Sequence, residues 1–430
     1  MTIHQRLFNL LLVLIPTQLG LHMWPEWASV LGRRIDYLSP TLFLTDIVFL
    51  LMLVFWLIDR VRHRAEWSLR KKYTPLRYIL VAAVFIGVNV LVAESQAVAI
   101  YKWLKVVEMA LLGWYIISTN PKTISVVWYI SLGVLYSSIL AITQFVFQHS
   151  VGGIFWILGE RTFSLDTPGI SRFDFCLFTH ASCSLLLRPY GTFSHPNVLG
   201  GFLATALPII FSMLLTSATK RVTGRIYYWT VLALGLVALL LTFSRSAWIV
   251  GGFGFVVTAV IFLSGKYFHV RKRAFQNNIM VIIPIIICLT WLSITFFPSA
   301  TSESIVRRAE LNRAAVDMWH DSPIVGKGLG NFLVTLPESD VSRYVNFIQP
   351  VHNIFLLALS EIGIVGVFLV AISFWYVARK TKIYRNRYLL FAAFGYFFLI
   401  GSIDHYPITL QQGQLWSVVL LGLILKRLNS

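Results

Sequence analysis

The residues able to do chemistry gather in a few short stretches of the chain. In Arg188-Pro189-Tyr190-Gly191-Thr192-Phe193-Ser194-His195-Pro196-Asn197, a guanidinium precedes a His and an Asn. Pro and Gly break the helix there, and an apolar run starts at Asn197. Guanidinium grips phosphate through a bidentate fork, and amides at a helix N-terminus attract anions. The plainer reading makes Arg188 a rim cation meeting lipid phosphate. Leu241-Thr242-Phe243-Ser244-Arg245-Ser246-Ala247-Trp248 puts Arg245 at a tight turn between two apolar runs. A charge so close to hydrocarbon is costly unless paired or wetted; the plainer reading has Arg245 snorkelling to headgroups. Pro350-Val351-His352-Asn353-Ile354-Phe355 sets a His ahead of another apolar run. A neutral imidazole there can take a proton from a hydroxyl, although a lone His is more often a packed polar residue.

Asp46, Lys102, Lys105 and Glu108 fall inside apolar stretches. Such groups are read first as functional, but Lys105 and Glu108 are spaced to pair with each other. Glu361 follows His352 by nine residues. That is about 13 Å along a helix, too far to orient the imidazole. It is expected to be structural, beside Gly363 and Gly366, which let helices approach. Gly326-Lys327-Gly328-Leu329-Gly330-Asn331 lacks the spacing of a phosphate loop and reads as a turn. No cluster has metal-site spacing, so neither a metal nor another cofactor is expected. Cys176 and Cys183 share a loop and could form a stabilising disulfide in an oxidising compartment; Cys288 reads as a buried apolar residue.

The elements that position these residues must be membrane helices. Of 430 residues, 57% are hydrophobic and only 13% charged, and mean hydropathy is +0.73. A soluble domain carries about 25% charged residues, so this chain cannot coat a water-facing surface. A spanning helix needs about 20 mainly apolar residues. Twelve candidates run near 7–23, 41–58, 77–93, 100–118, 124–147, 197–217, 226–242, 246–264, 278–297, 351–377, 386–403 and 410–427. The fold class is therefore an all-α polytopic membrane protein with about twelve spans in a single integral membrane domain, 1–430.

Orientation follows from Lys and Arg. Most of the 36 basic residues fall in the loops after the even spans and at the termini. Both termini are thus expected to be cytoplasmic. The net charge of +18 becomes a cytoplasmic collar facing anionic headgroups, and nucleic acid is not an expected partner. The external side carries two long segments, 148–196 and 298–350, the second between spans nine and ten. Long polar segments on one face usually carry function. Within the second, an amphipathic helix is expected to run to about His320 and stop at Ser322-Pro323, with Ile305, Ala309, Val316 and Trp319 on its apolar stripe.

The ordered set of Arg188 to Asn197, Thr242 to Trp248, Asp317 to Phe332, and His352-Asn353 leading to Glu361-Ile362-Gly363 resembles the O-antigen ligase family, the WaaL-like branch of the superfamily that includes the Wzy polymerases. Asp404 to Gln414 is a weaker match. The resemblance covers roughly 185–415. It implies a GT-C-type glycosyltransferase in the cell inner membrane. The donor would be a glycan on undecaprenyl diphosphate, and the acceptor a hydroxyl of lipid A-core glycolipid at the periplasmic face, with inversion and without a metal. It assigns His352 as the essential His and Arg188 and Arg245 as the diphosphate arginines. Lys102, Lys105, Asn197 and Asn353 are assisting candidates, and His195 is an alternative base. A Wzy-type polymerase and a protein O-oligosaccharyltransferase share the chemistry. A secondary transporter is the non-enzyme alternative; it would show two related halves and a midplane site, and no internal repeat is visible.

Overall fold

The computed structural model describes residues 1–62, 76–176, 183–215, 222–267, 302–339, 348–380 and 395–425. The expected ninth span, the first half of the eleventh and Cys288 lie outside them. The chain is a helical membrane protein. It begins with α1 (Ile3–Val13), a small strand region of β1 (Gly20–His22), β2 (Ser29–Val30), β3 (Arg33–Arg34) and β4 (Thr41–Phe43), and α2 (Leu44–Arg62). Helices α3 (Leu76–Leu91), α4 (Gln96–Thr119), α5 (Thr123–Phe147) and the short α6 (Ile154–Ile157) follow, then a hairpin of β5 (Arg172–Cys176) and β6 (Cys183–Leu187). Next come α7 (Pro196–Leu215), α8 (Val222–Leu241), α9 (Arg245–Tyr267), α10 (Ser302–Asp321), α11 (Phe332–Thr335) and α12 (Ile354–Lys380). A π-helical segment at Gly395–Ile400 leads to α13 (Tyr406–Thr409) and α14 (Gln411–Leu425).

Among the described residues, five helices are long and apolar enough to cross a membrane: α5, α7, α8, the Arg245–Phe262 part of α9 and the Ile354–Tyr376 part of α12. Helix α7 lies at the centre, with 89% of its apolar window buried. Its Pro208 is accommodated by Gly254 of α9, where a methyl group would meet the proline ring at 2.6 Å.

The first expected span, 7–23, is corrected. Helix α1 has 11 residues, about 16 Å of rise, or half the hydrocarbon core. The chain unwinds near Pro16, whose carbonyl accepts from Thr192 Oγ1 at 2.6 Å and Gln412 Nε2 at 2.7 Å. Irregular backbone survives at such depth only where protein satisfies it. The hairpin register sets Cys176 opposite Cys183.

The expected apolar stripe of the external helix is also corrected. Helix α10 buries Leu311, Ala314, Ala315 and Met318, while Ala309 is exposed. These positions lie on the opposite side of the helix from Ala309 and Val316. Two alanines let that face approach closely. With Val30, Leu38, Phe332, Leu333, Val351 and Leu357 it forms a second apolar core, separate from that of the bundle.

The Gly-rich turn after α10 clamps onto α12. Lys327 N donates to Ser360 O at 2.8 Å, and Gly328 N to Glu361 O at 3.0 Å. Gly363 makes this possible with φ +60° and ψ −175°, a region open essentially to glycine alone. Its partner is loop backbone, where a helix was expected: an added Cβ would sit 2.4 Å from Ile324 O. Gly366 does admit a neighbouring helix, through Phe85 of α3. Asn89 of α3 seals the junction. Its amide donates to Val325 O and Glu361 O and accepts from Trp103 Nε1 and Leu329 N. Gly363→Ala is therefore expected to cost on the order of 3 kcal/mol and to lower the melting temperature in detergent. Gly252→Ala, with open space around it, should leave that temperature unchanged or slightly raised.

Candidate functional site

The site forms at one end of the bundle, where α8 ends and α7, α9 and α12 begin. Gln144 of α5 builds its first wall. The buried side-chain oxygen accepts from Tyr190 N at 3.0 Å and Gly191 N at 2.8 Å, and its amide donates to Gly191 O at 2.9 Å. That fixes the Arg188–His195 turn. Arg188 then reaches three elements: Nε donates to Thr242 O at 2.7 Å, one amino group to Ser171 Oγ at 2.9 Å, and the other to Asn197 Oδ1 at 2.8 Å. Burial lowers its pKa to about 10, so it stays charged at neutral pH. Asn197 N donates to His195 Nδ1 at 3.1 Å. Arg245 opens α9 three residues beyond Thr242 and is exposed. The turn between them holds Phe243 at φ +49°, its ring stacked 3.6 Å from that of Phe173.

His352 forms the second wall. Ile354 N donates to Gly401 O at 2.8 Å, tying the start of α12 to the turn before α13. Asn353 caps α12 by accepting from Phe355 N at 2.9 Å and Leu356 N at 3.2 Å, a structural task. Across from it, Asp404 Oδ1 lies 3.5 Å from His352 Nδ1 and accepts from His405 N at 2.9 Å. At that separation the buried Nδ1 has no closed hydrogen bond. The His352 and His405 rings are 5.2 Å apart, and His405 Nδ1 is 2.7 Å from Thr409 Oγ1. Tyr406 presses this turn onto α7 at Gly201, where there is no room for a methyl group.

The electrostatics join the two walls. Burial alone would raise the Asp404 carboxyl, but the adjacent His352 pulls it below the usual carboxylate range, with help from His405 and His195. Burial, then Arg188, lowers His195 to about 4, against the pull of Asp404. Burial lowers His405 to about 3, again against Asp404. The site thus holds one ionised carboxylate and two neutral imidazoles beside His352.

This has a consequence for stability. The reference pKa of His is about 6.5. Above it neither state binds the proton. As pH falls below it, unfolded His405 takes up a proton that the folded site refuses, at about 1.4 kcal/mol per pH unit. The melting temperature in detergent should fall from pH 7 to pH 5, and His405→Gln should flatten that slope. An unchanged slope would place the titration elsewhere.

Donor atoms of His352, Asp404 and His405 lie within 4.8 Å of one another, so this group could hold a metal ion. No sequence spacing signals it, because His352 and Asp404 are brought together across 52 positions. Among the expected residues, Arg188, His195, Asn197 and His352 gather here, and Arg245 begins the adjoining helix. Lys105 instead contacts Asp46 and, at 3.1 Å, Glu108. Lys102 packs its stem against Gly330. Sequence reasoning gave no role to Asp404, His405 or Gln144. The signals for the first two were the polar Asp404-His405-Tyr406-Pro407 break in an apolar region and the weaker family resemblance of Asp404 to Gln414.

No curated protein matches the chain. A family model described as O-antigen ligase matches residues 230–371. That stretch holds both Arg245 and His352 and ends inside α12. Over these residues, about a third of the chain, it is similar to the O-antigen ligase family.

Proposed function

We propose that the protein transfers a whole glycan from undecaprenyl diphosphate to a hydroxyl of a lipid A-core glycolipid, at the periplasmic face of the inner membrane. The observation that carries this reading is the His352–Asp404 pair set beside Arg188. Because Nδ1 faces Asp404, Nε2 remains for the acceptor. His352 Nε2 takes the proton as the acceptor oxygen bonds to C1 of the donor sugar. The C1–O bond to phosphate breaks, and the electron pair leaves with the lipid diphosphate. Charge grows on that leaving group, and fixed cations in a dry site stabilise it strongly. Arg188 and Arg245 supply them, so no metal is required. In-line attack inverts C1.

The positions of basic residues support the orientation. Arg60 and Arg62 end α2, Arg225 lies in the first turn of α8, and Arg379 lies at the end of α12. For α8 and α12 this is the end opposite the site, as expected if that end is cytoplasmic. The GT-C-type architecture, with about twelve membrane segments of which the first is the shortened and partly unwound α1 segment, and cytoplasmic termini complete the proposal.

The test is purified protein in detergent with lipid-diphosphate-linked oligosaccharide, core-type glycolipid and EDTA, with products read by mass. One intact glycan on the acceptor supports a ligase. A ladder of lengthened lipid-linked glycans would make it a polymerase, and loss of activity with EDTA would contradict the metal-free reading.

A further inference from the structure

Arg161, in the loop between α6 and β5, faces the same turn as the candidate site but lies outside the region matched to the family. Its backbone is held in place by its neighbour. Glu160 is buried and accepts from Gln144 Nε2 at 2.8 Å, Val151 N at 2.7 Å and Gly152 N at 2.6 Å. That carboxylate is therefore turned away from Arg161. The Arg161 guanidinium donates to Ser194 O at 2.9 Å and lies 5.5 Å from the centre of the Tyr190 ring. It is otherwise exposed. Among the described residues, no carboxylate is within salt-bridge reach of it.

Ser194 precedes His195, which is linked through Asn197 to Arg188. Two guanidiniums thus flank one turn. The Arg161 charge also acts on His195 and on Tyr37, whose ring meets His405 edge-on at 5.3 Å. Arg188 has three donors committed to protein acceptors, whereas Arg161 has one. Asp404 is committed to His352 and His405. An exposed guanidinium with uncommitted donors beside a second one is suited to taking up an anion.

We propose that Arg161 is a substrate-contacting residue that grips a phosphate group carried by one of the two substrates. The group is either the donor's diphosphate or a phosphate on the glycolipid acceptor. This rests on the glycosyl-transfer reading above. It adds an anion contact from outside the family-matched region, at the mouth of the site.

Two measurements test it. In the transfer assay, Arg161→Ala should raise the KM for one substrate by about tenfold, as expected for a lost charge-assisted hydrogen bond, with a much smaller change in kcat. Arg161→Lys should recover part of that loss. A shift in donor KM identifies the diphosphate, and a shift in acceptor KM the acceptor phosphate. Unchanged KM for both overturns the proposal. The second measurement needs no transfer: inorganic pyrophosphate titrated into the full-length protein, read by tryptophan fluorescence. Affinity should fall about tenfold in Arg161→Ala and stay level in Arg225→Ala, at the opposite end of the bundle. No binding by the wild type, or equal affinity in Arg161→Ala, overturns the proposal. If the pyrophosphate difference holds while no glycan is transferred, the anion site stands and the transfer reading fails.

Discussion

His352→Ala is expected to lower the turnover of glycan transfer by 10²–10⁴-fold, the range that a positioned general base contributes. The KM for the lipid-linked donor should change little, because the proposed mechanism gives donor binding to the arginines. The protein should still fold. His352 is only half-buried, and the anchoring of this segment runs through neighbouring backbone and the Asn353 cap. A turnover close to wild type would remove His352 from the chemistry. His195 would then be the next candidate, although its Nδ1 already accepts from Asn197 N.

Asp404→Asn should come close to the same loss, on the order of 10²–10³-fold in turnover. In the proposed mechanism the carboxylate holds the tautomer with the proton on Nδ1 and stabilises the imidazolium that forms; an amide does neither well. The same logic governs the triad of serine proteases. The 3.5 Å separation is loose, as is common before substrate tightens such a contact. A merely structural Asp404 would give a different signature. Its loss would lower the melting temperature and leave the turnover of the folded enzyme close to wild type. The positioning role instead predicts lost turnover in Asp404→Asn with the melting temperature and the donor KM kept.

The hydrophobic runs made much of the helical framework legible. The ends of α5, α7, α8 and α9 lie within a few residues of where apolar sequence starts and stops. The elements that sequence misplaced are those where burial depends on a distant partner. Helix α1 stops early because Thr192 and Gln412 satisfy the unwound Pro16. Helix α10 buries its Leu311–Met318 face because small alanines let it meet the second core, and two apolar stripes on one helix cannot be ranked by periodicity alone. Gly363 reads as a helix-packing glycine until the loop from Ser322 to Gly328 is seen lying across it.

For the site, Arg188, His195, Asn197 and His352 stood out because each sits at a helix boundary among Pro, Gly and polar residues. Asp404 and Arg161 did not. The polar break at Asp404 does not point to an imidazole 52 positions away, and an arginine fixed by the hydrogen bonds of the preceding Glu160 carries no local pattern. For Lys105 the sequence left chemistry and pairing open; the structure commits it to Glu108, as the i,i+3 spacing allowed, and adds the distant Asp46.

The most direct test is to give wild type and His352→Ala the same lipid-diphosphate-linked oligosaccharide of defined anomeric configuration, with glycolipid acceptor and EDTA. The linkage in the product would be assigned by NMR. A single intact glycan joined with inverted configuration, absent from the His352→Ala reaction, is the result this account predicts. Retained configuration, or product formed by His352→Ala at the wild-type rate, would contradict direct displacement assisted by His352.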